Sequence, residues 1–302
     1  MANPVLNGYY ADPDIACFDG KFYIYPTTDG GTEWDSSSFK VFSSEDMIQW
    51  KDEGMILDLA DVPWSEGKRA WAPAIERKGE KYYYYYSGNG NIGVAVSDSP
   101  TGPFKDKGCP LVAKGEFHGQ MIDPDVFIDE DGQAYLYWGN TRMYAAKLTE
   151  DMVNIEGEVT DITPENFCEA SCIIKRNGIY YFTWSDNDTR SPEYNVHYGI
   201  GTSPIQKPEG DTIILSRYNT EDHRIKGTGH HSIFHIPGTD DWYICYHRFN
   251  IEKYGHVEEH NTEAGNHREV CIDKMEFGQD GTIIPVKATL QGLTQSVKIK
   301  NI

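Results

Sequence analysis

Two short stretches of this chain carry the same paired acids, Asp12-Pro13-Asp14 and Asp123-Pro124-Asp125. Each runs into an apolar segment, Ile15 to Phe18 in one case and Val126 to Ile128 in the other, then an Asp-Gly turn and an aromatic-rich strand. Proline between two carboxylates cannot continue a helix and pushes the residue before it towards extended geometry. A third acid, Glu169, opens a comparable run in Phe167-Cys168-Glu169-Ala170-Ser171. A lone Asp-Pro corner is ordinarily a turn whose carboxylate bonds its own backbone. Three acids at one equivalent place in three units imply more. Gathering them at one mouth costs repulsion and desolvation, and such a cost is kept where shifted proton affinities are used. No Ser or Cys triad is evident, so the chemistry indicated is glycoside hydrolysis. One carboxylic acid protonates the leaving oxygen, one carboxylate activates water or attacks carbon, and a third beside the acid raises its pKa and fixes its orientation.

The elements that must position these acids are strands. Helical periodicity is almost absent. A polar, glycine-containing turn followed by an aromatic strand recurs at Asp19–Tyr25, Lys78–Tyr84, Asp131–Tyr137, Asn177–Phe182 and Gly238–Ile244. Asn-Gly and Asp-Gly between apolar runs are tight-hairpin signals. A short apolar strand precedes each hairpin, and in several units a third strand follows, as in Lys40–Ser43, Ile92–Ser97 and Tyr198–Thr202. The unit is a four-stranded meander repeated about five times at intervals of roughly 50 residues, a period that marks propellers and solenoids. The fold expected is all-β: a single five-bladed β-propeller over residues 1–302, with the first strand of each blade nearest a central channel. The segment from Lys287 to Ile302 is expected to close the ring. Two β-sandwich domains would need a linker near the middle, and none is visible.

Composition narrows the partners. A net charge of −20 disfavours nucleic acid and anionic membrane surfaces. No apolar stretch is long enough for a membrane span. The N-terminus lacks a signal-peptide pattern, so a cytoplasmic location is expected, although a trimmed leader would look the same. Aromatics at 13% suit both β-rich cores and carbohydrate clefts. The six cysteines, at 17, 109, 168, 172, 245 and 271, make no zinc pattern and read as reduced, buried small hydrophobes.

Taken together, Asn3-Pro4-Val5-Leu6 leading to Ala11-Asp12-Pro13-Asp14, Trp71-Ala72-Pro73-Ala74, Ile122 to Phe127, Glu169-Ala170, Gly229-His230-His231-Ser232 and Arg268-Glu269-Val270 resemble glycoside hydrolase family 43. The signatures run through nearly the whole chain in that family's order. The resemblance implies a five-bladed propeller and an inverting mechanism, with Asp12 as general base, Glu169 as general acid, and Asp123 tuning and positioning the acid. It also implies that Trp71 walls the sugar pocket and that Arg268 contacts substrate or the acidic cluster, with His231 among the substrate contacts. His230 is placed near the axis, where related enzymes hold calcium through one His and several waters.

Strand alternation sends one of His230 and His231 to the channel and the other into sheet packing. The Tyr82–Tyr86 run reads as blade packing, and the loops 27–38 and 186–195 are expected to shape the pocket. The acid- and His-rich loop 256–267 is either solvated or borders the cleft. The resemblance further implies an exo-acting β-xylosidase with arabinofuranosidase activity on short oligosaccharides, without the extra C-terminal β-sandwich of the longer xylosidases. An exo-α-L-arabinofuranosidase or arabinanase, and a non-catalytic carbohydrate-binding propeller, are the competing readings. The last gives no reason for three acids at equivalent corners.

Overall fold

The computed structural model describes residues 3–299. It holds five four-stranded antiparallel sheets, each a simple meander in chain order. Blade 1 comprises β1 (Tyr10–Phe18), β2 (Lys21–Thr28), β3 (Ser38–Ser44) and β4 (Lys51–Asp58). Blade 2 comprises β5 (Ala70–Lys78), β6 (Lys81–Gly88), β7 (Asn91–Ser97) and β8 (Lys105–Asp106). Blade 3 comprises β9 (Asp125–Ile128), β10 (Ala134–Trp138), β11 (Tyr144–Leu148) and β12 (Ile155–Asp161). Blade 4 comprises β13 (Glu169–Arg176), β14 (Ile179–Asp186), β15 (Asn195–Gly201) and β16 (Glu209–Leu215). Blade 5 comprises β17 (Gly229–His235), β18 (Trp242–Phe249), β19 (Arg268–Phe277) and β20 (Ile283–Ile284). The first strands touch in a closed circuit, β1 to β5 to β9 to β13 to β17 and back to β1. The molecule is therefore the expected five-bladed propeller.

Local sequence explains the strands. Asp19-Gly20, Asn89-Gly90 and Asn177-Gly178 have positive φ at both residues, the geometry of the hairpin turn whose twist matches paired strands. Tyr84, Tyr85 and Tyr86 are fully buried between blades, as blade packing requires. The apolar clusters lie between neighbouring sheets. One joins Tyr25, Phe39 and Leu57 of blade 1 to Tyr84 and Tyr86 of blade 2. Both chain ends fasten the ring. Val5 N–H donates to Val270 O at 2.8 Å, and Asn3 Oδ1 accepts from Ile272 N–H at 3.0 Å. The returning segment pairs Ala288 with Thr220 and reaches blade 1 where Val297 N–H donates to Asp46 O at 2.9 Å. Residues 300–302 of the expected closing segment lie outside the described residues.

The cysteine expectation needs correction. All six are free, but only Cys172, Cys245 and Cys271 are buried; Cys17 and Cys168 are half-buried and Cys109 is exposed. Cys168 precedes an inner strand at the channel mouth, and Cys109 lies on a surface crossover, so neither meets a second sheet.

The chain takes a left-handed residue at the head of every blade, at or just before the inner strand. Asp12, Ala72, Asp123, Ala170 and His230 all have φ between 39° and 58°, and the strand registers slip at these points in blades 1, 2, 4 and 5. A left-handed, non-glycine residue costs conformational energy and persists where surrounding contacts fix it. Here the contact is a repeated cap: a side chain on the second strand of one blade accepts the N–H of the bulged residue in the next. Thr27 caps Ala72 at 2.8 Å, Ser87 caps Asp123 at 3.0 Å, Ser185 caps His230 at 2.9 Å, and His247 Nδ1 caps Asp12 at 3.3 Å. Blade 3 has Gly139 at this seat, where a Cβ would sit 2.1 Å from Arg142 O.

Candidate active site

The bulge places the functional side chains. Asp12, Asp123 and His230 occupy the left-handed position of blades 1, 3 and 5. Glu169 does not share it. Glu169 pairs with Ser185, as Ala11 pairs with Thr27, Trp71 with Ser87 and Gly229 with His247. It stands one residue earlier, in the seat of Trp71, and Ala170 takes the left-handed position. The equivalence expected of the three acids thus holds for two of them. Glu169 and Trp71 form the wall, whereas Asp12, Asp123 and His230 form the floor.

These residues line one hollow of about 180 Å³, with Trp34, Gln120, Ile122, Asn140, Cys168, Asp188, Thr189, Arg190 and Arg268. A larger hollow of about 950 Å³ lies between blade 5 and residues 284–298 and contains none of the three acids.

Arg268 opens β19 and is almost wholly buried. Its Nη1 donates to Asp12 Oδ1 at 2.9 Å, while Nε donates to Asp29 Oδ2 at 3.0 Å and Nη2 to Asp29 Oδ1 at 3.3 Å. His230 Nδ1 also lies 3.2 Å from Asp12 Oδ1. Burial alone would raise the Asp12 carboxyl, but the Arg268 guanidinium and then His230 outweigh it and hold the group well below the usual range. Asp12 is therefore ionised, with Oδ1 occupied.

Asp123 and Glu169 form the opposite pair. Oxygens of the two and a ring nitrogen of His230 lie within 4.8 Å of one another. Burial, then the Glu169 charge, then Asp12 push Asp123 well above its ordinary value. Burial also raises Glu169, opposed by hydrogen bonds from Tyr194 and Asn140. Two carboxyls this close titrate as a coupled pair, and both are shifted towards the protonated form. Glu169 is held at both oxygens: Tyr194 Oη donates to Oε1 at 2.9 Å and Asn140 Nδ2 to Oε2 at 2.8 Å. The hollow thus has an ionised carboxylate on one side and a proton-bearing pair on the other, the division that acid/base hydrolysis needs.

Trp71 lies in the wall, its Nε1 donating to Trp34 O at 2.9 Å. Both expected pocket loops contribute, through Trp34 and through Asp188 to Arg190. The 256–267 loop buttresses them: Asn261 N–H donates to Arg190 O at 2.8 Å and Trp34 Nε1 to Gly265 O at 3.3 Å. Of the paired histidines, His230 faces the hollow. His231 is buried, with Nε2 2.7 Å from Thr183 Oγ1, so its expected substrate contact is corrected to sheet packing; the alternation of the strand turns it away. Sequence reasoning missed Asp29, Asn140, Tyr194 and His247. A partial signal existed for one of them. Gly229 precedes the paired histidines because a Cβ there would lie 2.4 Å from the Tyr194 ring.

The pattern of Glycosyl hydrolases family 43 matches residues 1–283. A β-D-galactofuranosidase of Aspergillus niger is 36% identical over 306 residues, covering 96% of this chain and 86% of its own. A xylosidase/arabinosidase of Humicola insolens is 30% identical, covering 95% of this chain and 99% of its own. Among solved structures, a β-xylosidase/α-arabinofuranosidase from a compost microbial metagenome, in complex with xylotriose and in a calcium-free form, superposes with a TM-score of 0.78 at 27% identity, covering 95% of this chain and 97% of that one.

Proposed function

The chain belongs to glycoside hydrolase family 43, and we propose that it is an inverting exo-glycosidase that releases xylose, and arabinofuranose, from xylo-oligosaccharides or arabinoxylan fragments. The observation that carries this reading is the split in the hollow. Asp12 is ionised with Oδ1 pinned by Arg268, opposite a proton-bearing Asp123–Glu169 pair. Asp12 Oδ2, with no hydrogen-bond partner among the described residues, takes a proton from the attacking water. Glu169, oriented by Tyr194 and Asn140, gives its proton to the departing oxygen. Asp123 keeps that proton available by making double ionisation costly. Inversion needs room for the water, a base-to-acid separation of roughly 6.5–9.5 Å.

Calcium comes into question because a relative is described in a calcium-free form. Among the described residues, the group able to hold an ion is Asp123, Glu169 and His230. Calcium takes six to eight oxygens. This group offers one nitrogen and two carboxyls, and both oxygens of Glu169 already accept from Tyr194 and Asn140. The residues do not fit a calcium cage, and only His230 with a shell of water would hold the ion.

Hydrolysis of nitrophenyl β-D-xyloside, α-L-arabinofuranoside and β-D-galactofuranoside tests the reading. Xyloside and arabinofuranoside turnover, with inverted product anomer by NMR, is expected. A retained anomer would overturn the assigned roles. The Aspergillus niger relative favours a second reading, and turnover of the galactofuranoside alone would establish it.

A further inference from the structure

The repeated cap singles out one blade. Thr27, Ser87 and Ser185 are small hydroxyls in register-equivalent seats, and each accepts the N–H of the next blade's bulged residue. The blade 5 seat holds His247, which is fully buried. An imidazole is bulkier than the cap requires and carries a second polar nitrogen that burial must satisfy. Nδ1 lies 3.3 Å from Asp12 N and 3.1 Å from Asp12 Oδ1, so the ring meets both the backbone and the carboxylate of the base. Its other nitrogen, Nε2, lies 3.4 Å from Thr189 Oγ1, in the pocket loop. Thr189 Oγ1 also accepts from Arg268 Nη1 at 3.2 Å, the same atom that donates to Asp12. The flat face of His247 stacks on Tyr194, with centroids 5.5 Å apart and planes 8° from parallel. Tyr194 in turn holds Glu169.

We infer that His247 is a positioning residue: a buried post that sets the base through its backbone N–H and, through Thr189 and the stacked Tyr194, sets the pocket loop and the acid at a fixed distance from that base. A hydroxyl in the same seat would satisfy the backbone but would reach neither. The inference rests on the hydrolase reading and extends it to a residue that touches no substrate. A misplacement of about 1 Å in such a site is worth about a hundredfold in rate, so the effect belongs in kcat.

The internal repeat supplies the control, because His247→Ser installs the cap that two other blades use. Wild type, His247→Ser and His247→Ala are compared for kcat, KM and Tm on the nitrophenyl glycoside that the wild type turns over best. His247→Ser is expected to keep the wild-type Tm and to lose about tenfold to a hundredfold in kcat, with KM within about twofold. His247→Ala is expected to lose Tm as well. Wild-type kcat in His247→Ser, or a kcat loss matched by a Tm loss in that variant, would overturn the inference. A wild type inactive on every glycoside would sink the hydrolase reading and this inference with it, whereas the other outcomes bear on His247 alone.

Discussion

Asp12 and Asp14 are two residues apart on one strand and live in different chemistry. Asp12 faces the upper hollow, where Arg268 and His230 hold it ionised. Asp14 faces a second hollow of about 310 Å³ at the other end of the channel, with Glu76 and Asp125. There its Oδ2 accepts the N–H of Ile75 from blade 2 at 2.7 Å. Asp125 does the same for Ile173 of blade 4 at 3.0 Å, and Ser232 for Ile15 of blade 1 at 3.0 Å. Asp14 and Asp125 are blade-to-blade staples. These carboxyls are pushed up by burial, Asp14 to about 7, with Asp125 to about 8 and Glu76 to about 8 after the added charge of Asp14. The acid-proline-acid tripeptide therefore divides its labour: the bulge turns the first carboxyl to chemistry and the second to assembly.

The sharpest break in this comparison is in rate. Asp12→Asn and Glu169→Gln should each lose about 10³-fold or more in kcat, within the range for acid/base groups, while Asp14→Asn should stay within about threefold. Steady-state kinetics on one nitrophenyl glycoside decides it, and equal losses at 12 and 14 would erase the distinction. For Glu169→Gln, a leaving group that needs little protonation should restore part of the rate.

Stability should show the reverse order. Asp14→Ala strands a buried Ile75 N–H and should cost about 1–3 kcal/mol in urea melts, as should Asp125→Ala for Ile173. The pH dependence sharpens this. A carboxyl whose folded pKa is raised binds more protons when folded than when unfolded, so its penalty grows as pH rises from its unfolded value through its folded one. Stability should therefore fall between about pH 4 and pH 7–8 through the lower carboxyls, and Asp14→Asn should flatten that fall. Asp12 has the opposite sign: its contribution is present above the ordinary carboxylate range and is lost in acid. The smallest effect expected is at Tyr194. Its hydroxyl favours ionised Glu169, so Tyr194→Phe should move the alkaline limb of the rate profile to higher pH while the aromatic stack remains. A limb moving the other way would contradict the assigned hydrogen bond.

Much of this was legible in the chain. The turn-and-aromatic repeat announced the blades because a hairpin is a local object, written in neighbouring residues. The three acids were legible because an Asp-Pro corner recurs and Glu169 opens a similar run. The bonds of Arg268 were not: Asp12 and Asp29 lie 256 and 239 residues away, and a sequence does not say which acids a buried arginine meets. The one-residue offset of Glu169 was hidden for a related reason. Which residue takes the left-handed bulge depends on the register against β14, and a slip of one residue exchanges the faces that side chains point to.

By itself, the order of residues determined five meanders, their turns and the acids that head three of them, because turn geometry and strand alternation act over a few bonds. Closing the ring decided the rest: which carboxyl is pinned by Arg268, which pair titrates together, and which imidazole stands beside them. Charge and burial act through space, and only the packed blades set those distances.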